Sequence, residues 1–335
     1  MTLFVAAACG SGASGPPATA APPSSAAPTA SPDASAAGGS DAPVIYRFTF
    51  DEDAVLDRAG AGTSDLYINP GAVIEHEGVL HMFPNLFSQW PGRVRVPHLT
   101  SSDGSAWTLD ETAEPLSSED IPLADPGIDV STGFVTDDGT WVLIFETVSS
   151  SRPWLLGRAT APSPAGPWTI DPEPIVEPGP AGTFDAGGVQ WPSVVRHGDE
   201  YLLFYAGFDM PQGGNGSIGL ATSLDGVTWA ARDEPVFGAT ERWEGRSVDR
   251  PRVAATAGGL VMVYAGRDLT DRGIATSADG TTWSKVPGPS IERDDFPISA
   301  RSWDAALLYR DGQLEYFLEI GFETTSIYRA TLDWP

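Results

Sequence analysis

Tyr201-Leu202-Leu203-Phe204-Tyr205-Ala206-Gly207, followed by Ser223-Leu224-Asp225-Gly226-Val227-Thr228-Trp229, is the stretch from which the fold is read. The first run is short, apolar and aromatic, the pattern of a strand buried on both faces, and the second joins a strand to a tight Asp-Gly turn and a tryptophan. Both halves recur. Strand-like runs resembling the first cover Val79–Phe83, Trp141–Glu146, Leu260–Gly266 and Leu314–Gly321. The turn recurs as Ser102-Asp103-Gly104 to Trp107, Ala161 to Trp168 and Ser277-Ala278-Asp279-Gly280 to Trp283, so the four tryptophans stand 61, 61 and 54 residues apart. A proline opens several units at a shared distance: Pro70 to Phe83, Pro192 to Tyr205 and Pro251 to Tyr264 are each 13 residues.

A period near 60 residues, with three or four strands per unit and little of helical period between them, predicts propeller blades. Five units fit the length. The fifth is incomplete: Ile327–Asp333 matches Ile218–Asp225, after which the chain stops at Pro335. The β-prone segment Val44–Phe50 is expected to supply the missing outer strand, because a ring left open would expose an unpaired edge. The expectation is an all-β, five-bladed β-propeller of four-stranded antiparallel blades, closed by an N-terminal strand, over residues 43–335.

The residues ahead of it read differently. Residues 10–42 are almost wholly Ala, Pro, Ser, Gly and Thr, a composition unable to bury enough apolar area to offset ordering entropy, and read as a disordered linker. Cys9 is the chain's one cysteine, and it follows a short apolar run ending in small residues and precedes Gly10-Ser11, in the manner of a bacterial lipoprotein cleavage site. Residues 1–9 therefore read as a signal remnant with Cys9 as the lipidation site, and the protein as extracytoplasmic, lipid-anchored and monomeric. Acidic residues outnumber basic ones 45 to 19 and the only lysine is Lys285, so a net charge of −26 argues against a nucleic-acid partner.

Several motifs read as architecture. The Ser-x-Asp-Gly-x-x-Trp turns suit tight hairpins that pack a large ring; the Asp box of sialidases has one more residue between Asp and Gly. Gly214–Gly219 matches a dinucleotide fingerprint in letters only, since it leads into a strand rather than a helix. His76, His81, His98 and His197 lack metal-ligand spacing, and His81 falls within an apolar strand.

What remains is a set of polar residues near the starts of the innermost strands. Aligned on the prolines, Asn69, Ser131, Trp191, Arg250 and Ala305 form one row and Asp129, Gln190, Asp249 and Asp304 the next, with Asp185 on the approach to the third blade. A slip of one residue would exchange the row that faces the centre.

The stretch Phe184-Asp185-Ala186-Gly187-Gly188-Val189 leading into Trp191–Val195, with Asp199–Tyr205 and Gly166-Pro167-Trp168, resembles the five-bladed β-propeller glycosidases, glycoside hydrolase families 32, 43 and 130. That resemblance implies two carboxyl groups, one protonating the leaving oxygen and the other activating water or attacking carbon. On it, Asp129, Asp185, Asp249 and Asp304 are the catalytic candidates. Arg250 and Arg252 would hold substrate, Trp191 would stack on a sugar, and Asn69 and Gln190 would line the binding site. It also admits calcium, for which no ligand cluster is visible in the sequence. Where related enzymes carry an aspartate before the first-blade proline, this chain has Asn69, and Trp191 fills the third-blade slot. Two functions stay open: a glycoside hydrolase acting on oligo- or polysaccharides, and a noncatalytic glycan-binding or scaffold propeller.

Overall fold

The computed structural model of the protein describes residues 44–149, 151–211, 213–267 and 270–335. Cys9 and the linker lie outside the described residues. Five antiparallel sheets follow one another along the chain. Blade 1 runs from Tyr67–His76 through Val79–Phe87 and Leu99–Ser101 to Thr108–Leu109, and adds two short strands, Arg95–Val96 beside its second strand and Leu116–Ser117 beside Arg95–Val96. Blade 2 is Pro126–Val135, Trp141–Ser149, Leu156–Ala161 and Thr169–Ile170. Blade 3 is Gly188–His197, Glu200–Met210, Gly213–Ser223 and Ala230–Ala231, and blade 4 is Val248–Thr256, Gly259–Gly266, Arg272–Ser277 and Ser284–Lys285. Blade 5 is Arg301–Arg310, Gln313–Gly321 and Thr325–Asp333, completed by Thr49–Phe50. Among the described residues no helix is long and apolar enough to cross a membrane.

The second strand of each blade explains the apolar runs in the sequence. It is sandwiched between neighbouring blades on both faces, so every residue of Trp141–Ser149 is buried. The core is divided accordingly. Five apolar clusters fill the five seams between neighbouring blades: Phe83 with Phe145 between blades 1 and 2, Ile144 with Leu203 between 2 and 3, Phe204 with Met262 between 3 and 4, Val263 with Leu318 between 4 and 5, and Met82 with Phe317 where blade 5 meets blade 1.

Turn chemistry locks three of the five seams. The Asp103, Asp225 and Asp279 carboxylates each accept two backbone N–H groups of their own turn, which pulls them down to about 2, and Ser101, Ser223 and Ser277 accept the N–H of the turn glycine. Gly280 has φ +74°, and a Cβ there would stand 2.9 Å from Leu202 and 3.2 Å from Phe204 of the preceding blade. The turns therefore dock one blade onto the next, as their composition suggested.

The clasp forms, but it is shorter than Val44–Phe50. Only Thr49 and Phe50 pair with Thr331 and Ala330, because Phe48 N–H turns aside to the Ser290 carbonyl of blade 4. Arg329 fixes it by donating to Asp51 at 2.9 Å.

Each inner strand is broken by a bulge. In blade 1 the bulge residue Gly71 has φ +57°, and a Cβ would fall 2.0 Å from the Phe83 carbonyl oxygen. Gly139 has φ +84° but faces open space. Gly71→Ala should therefore cost more than about 2 kcal/mol, against roughly 1 for Gly139→Ala. Urea unfolding of both variants is the check, and equal midpoints would remove the bulge from the account.

Candidate active site

The five bulges correct the alignment read from the prolines. Asn69 pairs with Asn85, Asp129 with Glu146, Gln190 with Ala206, Asp249 with Ala265 and Ser302 with Ile320, each as the last or next-to-last pair before the irregularity. The equivalent row is thus Asn69, Asp129, Gln190, Asp249 and Ser302. Ser131, Trp191 and Arg250 sit inside their bulges, with φ of +49° at Trp191 and +50° at Arg250, while Ala305 follows its own bulge. Asp304 belongs to the blade 5 bulge rather than to the aspartate row. The alignment slipped because, although each bulge adds one residue, the prolines sit at different places in it: Pro70 comes two residues before the first pair beyond the bulge, Pro192 and Pro251 come one before it, and blades 2 and 5 have no proline there.

Asp129, Asp249 and Asp304 come together around the start of the inner strands, joined by two glutamates that the sequence reading passed over, Glu146 and Glu319. All five carboxyls are buried. Because strand neighbours run antiparallel, Glu146 stands directly across the ladder from Asp129, where side chains on one face meet. Burial first, then the negative charges of Asp304, Glu146 and Glu319, push Asp129 well above the usual carboxylate range. Glu146 is pushed up to about 8 by burial, against the pull of the Trp191 N–H that it accepts, and Asp304 pushes it further. Glu319 is likewise raised to about 8 by burial and by Asp304. Glu146 and Glu319 are therefore groups that hold protons near neutral pH.

Three guanidiniums thread the cluster. Arg252 donates to Asp304 and to the carbonyls of Ala305, Trp191, Pro192 and Pro251. Arg250 pairs with Asp249 at 2.7 Å and lies 3.7 Å from the centre of the Trp191 ring. Arg272 donates to Ser302 at 3.3 Å, and its charge and that of Arg250 oppose the upward push of burial on Asp249. Arg250 and Arg252, expected to hold substrate, are instead 5% and 2% exposed and engaged with the protein's own carboxylates and carbonyls. Trp191, expected to stack on a sugar, has one ring face covered by Arg250.

Asn69, also expected to meet substrate, is a clamp. Its amide donates to Asp129 at 3.2 Å, and its carbonyl oxygen accepts from Asn85 and from Gly71 N–H. Asn85 in turn pins both backbone groups of Val130. Gln190 is buried at the start of the blade 3 strand. Asp185 stands apart: it accepts from Thr183, Gly179 N–H and the Tyr205 hydroxyl, all close to its own loop. Glu244 repeats this role before blade 4, accepting from Tyr264 and Lys285. Asp185 and Glu244 close the loops that deliver inner strands to the centre.

Four polar atoms of this region are buried without a partner: Glu146 Oε1, Asp304 Oδ2, Ser131 Oγ and Arg250 Nε. Unpaired buried groups are costly and mark sites where strain or chemistry is kept. A cavity of about 380 Å³ runs along the later halves of the inner strands, lined among others by Ile74, Ser131, Thr132, Val194, Arg252 and Leu307. None of the four candidate aspartates lines it. The carboxyl layer and the Arg252 plug therefore sit at the strand-start end and this cavity lies beyond them.

Two other expectations concern ligands. Among the described residues no group of three or more His, Cys, Asp or Glu is arranged to hold a metal ion, so the calcium that the resemblance admits finds no ligand set here. His81 faces His98 at 2.9 Å, and His98 faces Asp110 at 3.1 Å; burial drives His81 down to about 4. Stacked on His98 and packed edge-on against Trp141, His81 serves the blade 1 core.

A family model described as β-1,4-mannooligosaccharide phosphorylase, glycoside hydrolase family 130, matches residues 209–328, from the end of the second strand of blade 3 into the last strand of blade 5. Two uncharacterized proteins of Mycobacterium tuberculosis, from strains CDC 1551 and H37Rv, are each 34% identical over 143 residues, 39% of this chain and 48% of theirs. The chain thus spans about half the length of these curated relatives. Among solved structures, the β-1,2-mannobiose phosphorylase of Listeria innocua superposes with a TM-score of 0.63 at 14% identity, covering 85% of this chain and 96% of that one. A family 117 glycoside hydrolase of Zobellia galactanivorans gives 0.63 at 14%, covering 86% and 91%, and the GH43_1 enzyme of Xanthomonas citri complexed with xylotriose gives 0.60 at 17%, covering 83% and 89%. The chain shares the five-bladed propeller fold of these carbohydrate-active enzymes, and its resemblance in sequence is to family 130 over residues 209–328, which include blade 4 and most of blade 5.

Proposed function

We propose that the protein is a glycoside hydrolase acting on O-glycosidic bonds of oligo- or polysaccharides, with Glu146 as proton donor and Asp304 as base or nucleophile. The observation that carries this reading is the pairing of environments. Glu146 keeps a proton near neutral pH and presents an unpartnered Oε1, while Asp304 is ion-paired through Oδ1 to Arg252 and leaves Oδ2 free. One carboxyl that keeps a proton beside a second held against a guanidinium is the arrangement that glycoside cleavage uses. As the C–O bond breaks, the departing oxygen takes the Glu146 proton. Asp304 either accepts the proton of the attacking water or bonds transiently to the anomeric carbon. Asp129, held by Asn69 and facing Glu146 across the ladder, feels the charges of both Asp304 and Glu146. Hydrolysis is preferred to phosphorolysis because Arg250 and Arg252 are engaged with Asp249 and Asp304 instead of being free to hold phosphate. The Cys9 reading would place the domain outside the cytoplasm on a lipid anchor.

A second reading, glycan recognition without turnover, is favoured by Asn69 in a place where related enzymes carry an acid and by the deep burial of Glu146. A sugar-release screen separates the two. Purified protein is offered manno-, xylo-, arabino-, galacto- and fructo-oligosaccharides of two to five units, with and without phosphate. Release is expected, unchanged by phosphate, and Glu146→Gln and Asp304→Asn should each lower kcat by roughly 10²–10⁴. The rate should fall above pH 8, where Glu146 loses its proton. Binding without release by the wild type would favour the second reading.

The same burial makes a stability signature. The folded-state value of Glu146 is raised from 4.5 to about 8, so the stability gained by holding its proton is fully present below pH 4.5 and is lost as pH rises through 8. Glutamine does not titrate. Glu146→Gln should therefore match wild type near pH 5 and melt several degrees higher near pH 8.5, and a constant difference in melting temperature across that range would contradict the assignment.

A further inference from the structure

The large exposed hydrophobics of the described residues include three aromatic rings, Trp90, Trp303 and Phe322, which are 39%, 42% and 59% exposed. All three occupy the strand-start end. Trp303 adjoins Asp304 in the blade 5 bulge, and Phe322 follows the last residue of the second strand of blade 5. Trp90 comes three residues after the second strand of blade 1, whose end, Phe87, pairs with Tyr67 at the start of the inner strand. At the opposite end, the exposed side chains of the turns are aliphatic, Leu224 and Val227 among them.

Trp90 is held in place. Its ring lies 5.3 Å from Phe87 at 53° and 6.3 Å from Trp154 at 78°, so both neighbours brace it obliquely or by an edge. Trp154 is itself fixed, donating its indole N–H to the Ser149 carbonyl at 2.9 Å and accepting Val189 N–H at 3.0 Å. The loop carrying Trp90 lies directly on blade 2, where a Cβ at Gly127 would fall 2.2 Å from the Gly92 carbonyl oxygen. From Trp154 the backbone contact leads to Val189, two residues before Trp191, whose N–H rests on Glu146. An anchored, solvent-facing indole on the same end as the carboxyl layer offers a flat apolar surface at little entropic cost, suited to the CH-bearing face of a pyranose. The net charge of −26 disfavours acidic glycans.

We infer that Trp90, braced by Phe87 and Trp154, is an outlying sugar-stacking subsite, and that the ligand is a neutral oligosaccharide of three or more units rather than a disaccharide. The inference rests on the glycoside reading above. It is tested by calorimetric titration of the full chain in the Glu146→Gln background, with and without Trp90→Ala, using manno- and xylo-oligosaccharides of two to five units. The expected result is roughly tenfold weaker binding of tetra- and pentasaccharides with Trp90→Ala, little change for disaccharides, and recovery with Trp90→Phe. An unchanged melting temperature would confirm that the exposed ring is not needed for folding. Equal affinities at every length would overturn the subsite while leaving the glycoside reading in place. No binding of any oligosaccharide, by this pair of proteins or by wild type, would overturn both.

Discussion

The guanidinium of Arg252 lies fully buried near the axis of the ring, and the rest of the centre is arranged around it. It reaches carbonyls contributed by blades 3, 4 and 5 and the carboxylate of Asp304. A buried charge is tolerated only when its donors are met by well-placed acceptors, and removing such acceptors leaves an uncompensated ion. The bulges of the inner strands supply them. By adding residues between ladder pairs, they turn carbonyls at Trp191, Pro192 and Pro251 inward that a regular strand would spend on its neighbour.

That arrangement concentrates cost in one layer. Five carboxyls and three guanidiniums are withdrawn from water in a molecule whose stability otherwise comes from five apolar seams between blades. Two of the ion pairs, Arg250 with Asp249 and Arg252 with Asp304, neutralise each other. Glu146, Glu319 and Asp129 have no such partner and are pushed toward their protonated forms instead. The seams, the turn glycines and the Thr49–Phe50 clasp hold the ring rigidly enough to keep this layer assembled, and a rigid scaffold is what lets unfavourable side-chain environments persist.

The blade count, the turn motif and the closure by an N-terminal segment were legible because each depends on local pattern: apolar runs buried on both faces, Asp-Gly turns and a regular spacing of tryptophans. The aspartates at 129, 249 and 304 were legible as residues close to the strand starts. Glu146 and Glu319 were not, since each lies inside a run that reads as buried strand; the one available signal was a carboxylate where apolar neighbours predict none. Asp185 was grouped with the central acids because it precedes an inner strand, yet its partners are loop groups and Tyr205, and Glu244 repeats the same arrangement.

By itself the amino-acid sequence determined that the chain from about residue 43 forms repeated β units, and how many. These follow from period, composition and turn chemistry, which act over a few residues. Only the tertiary structure decided which polar residues share the centre, because facing depends on where each inner strand bulges, and the prolines do not mark that place consistently from blade to blade. It also decided their chemistry. The environment that raises Glu146 and commits Arg252 arises from burial and from partners some 45 to 60 residues away in the chain, and no local pattern encodes those distances.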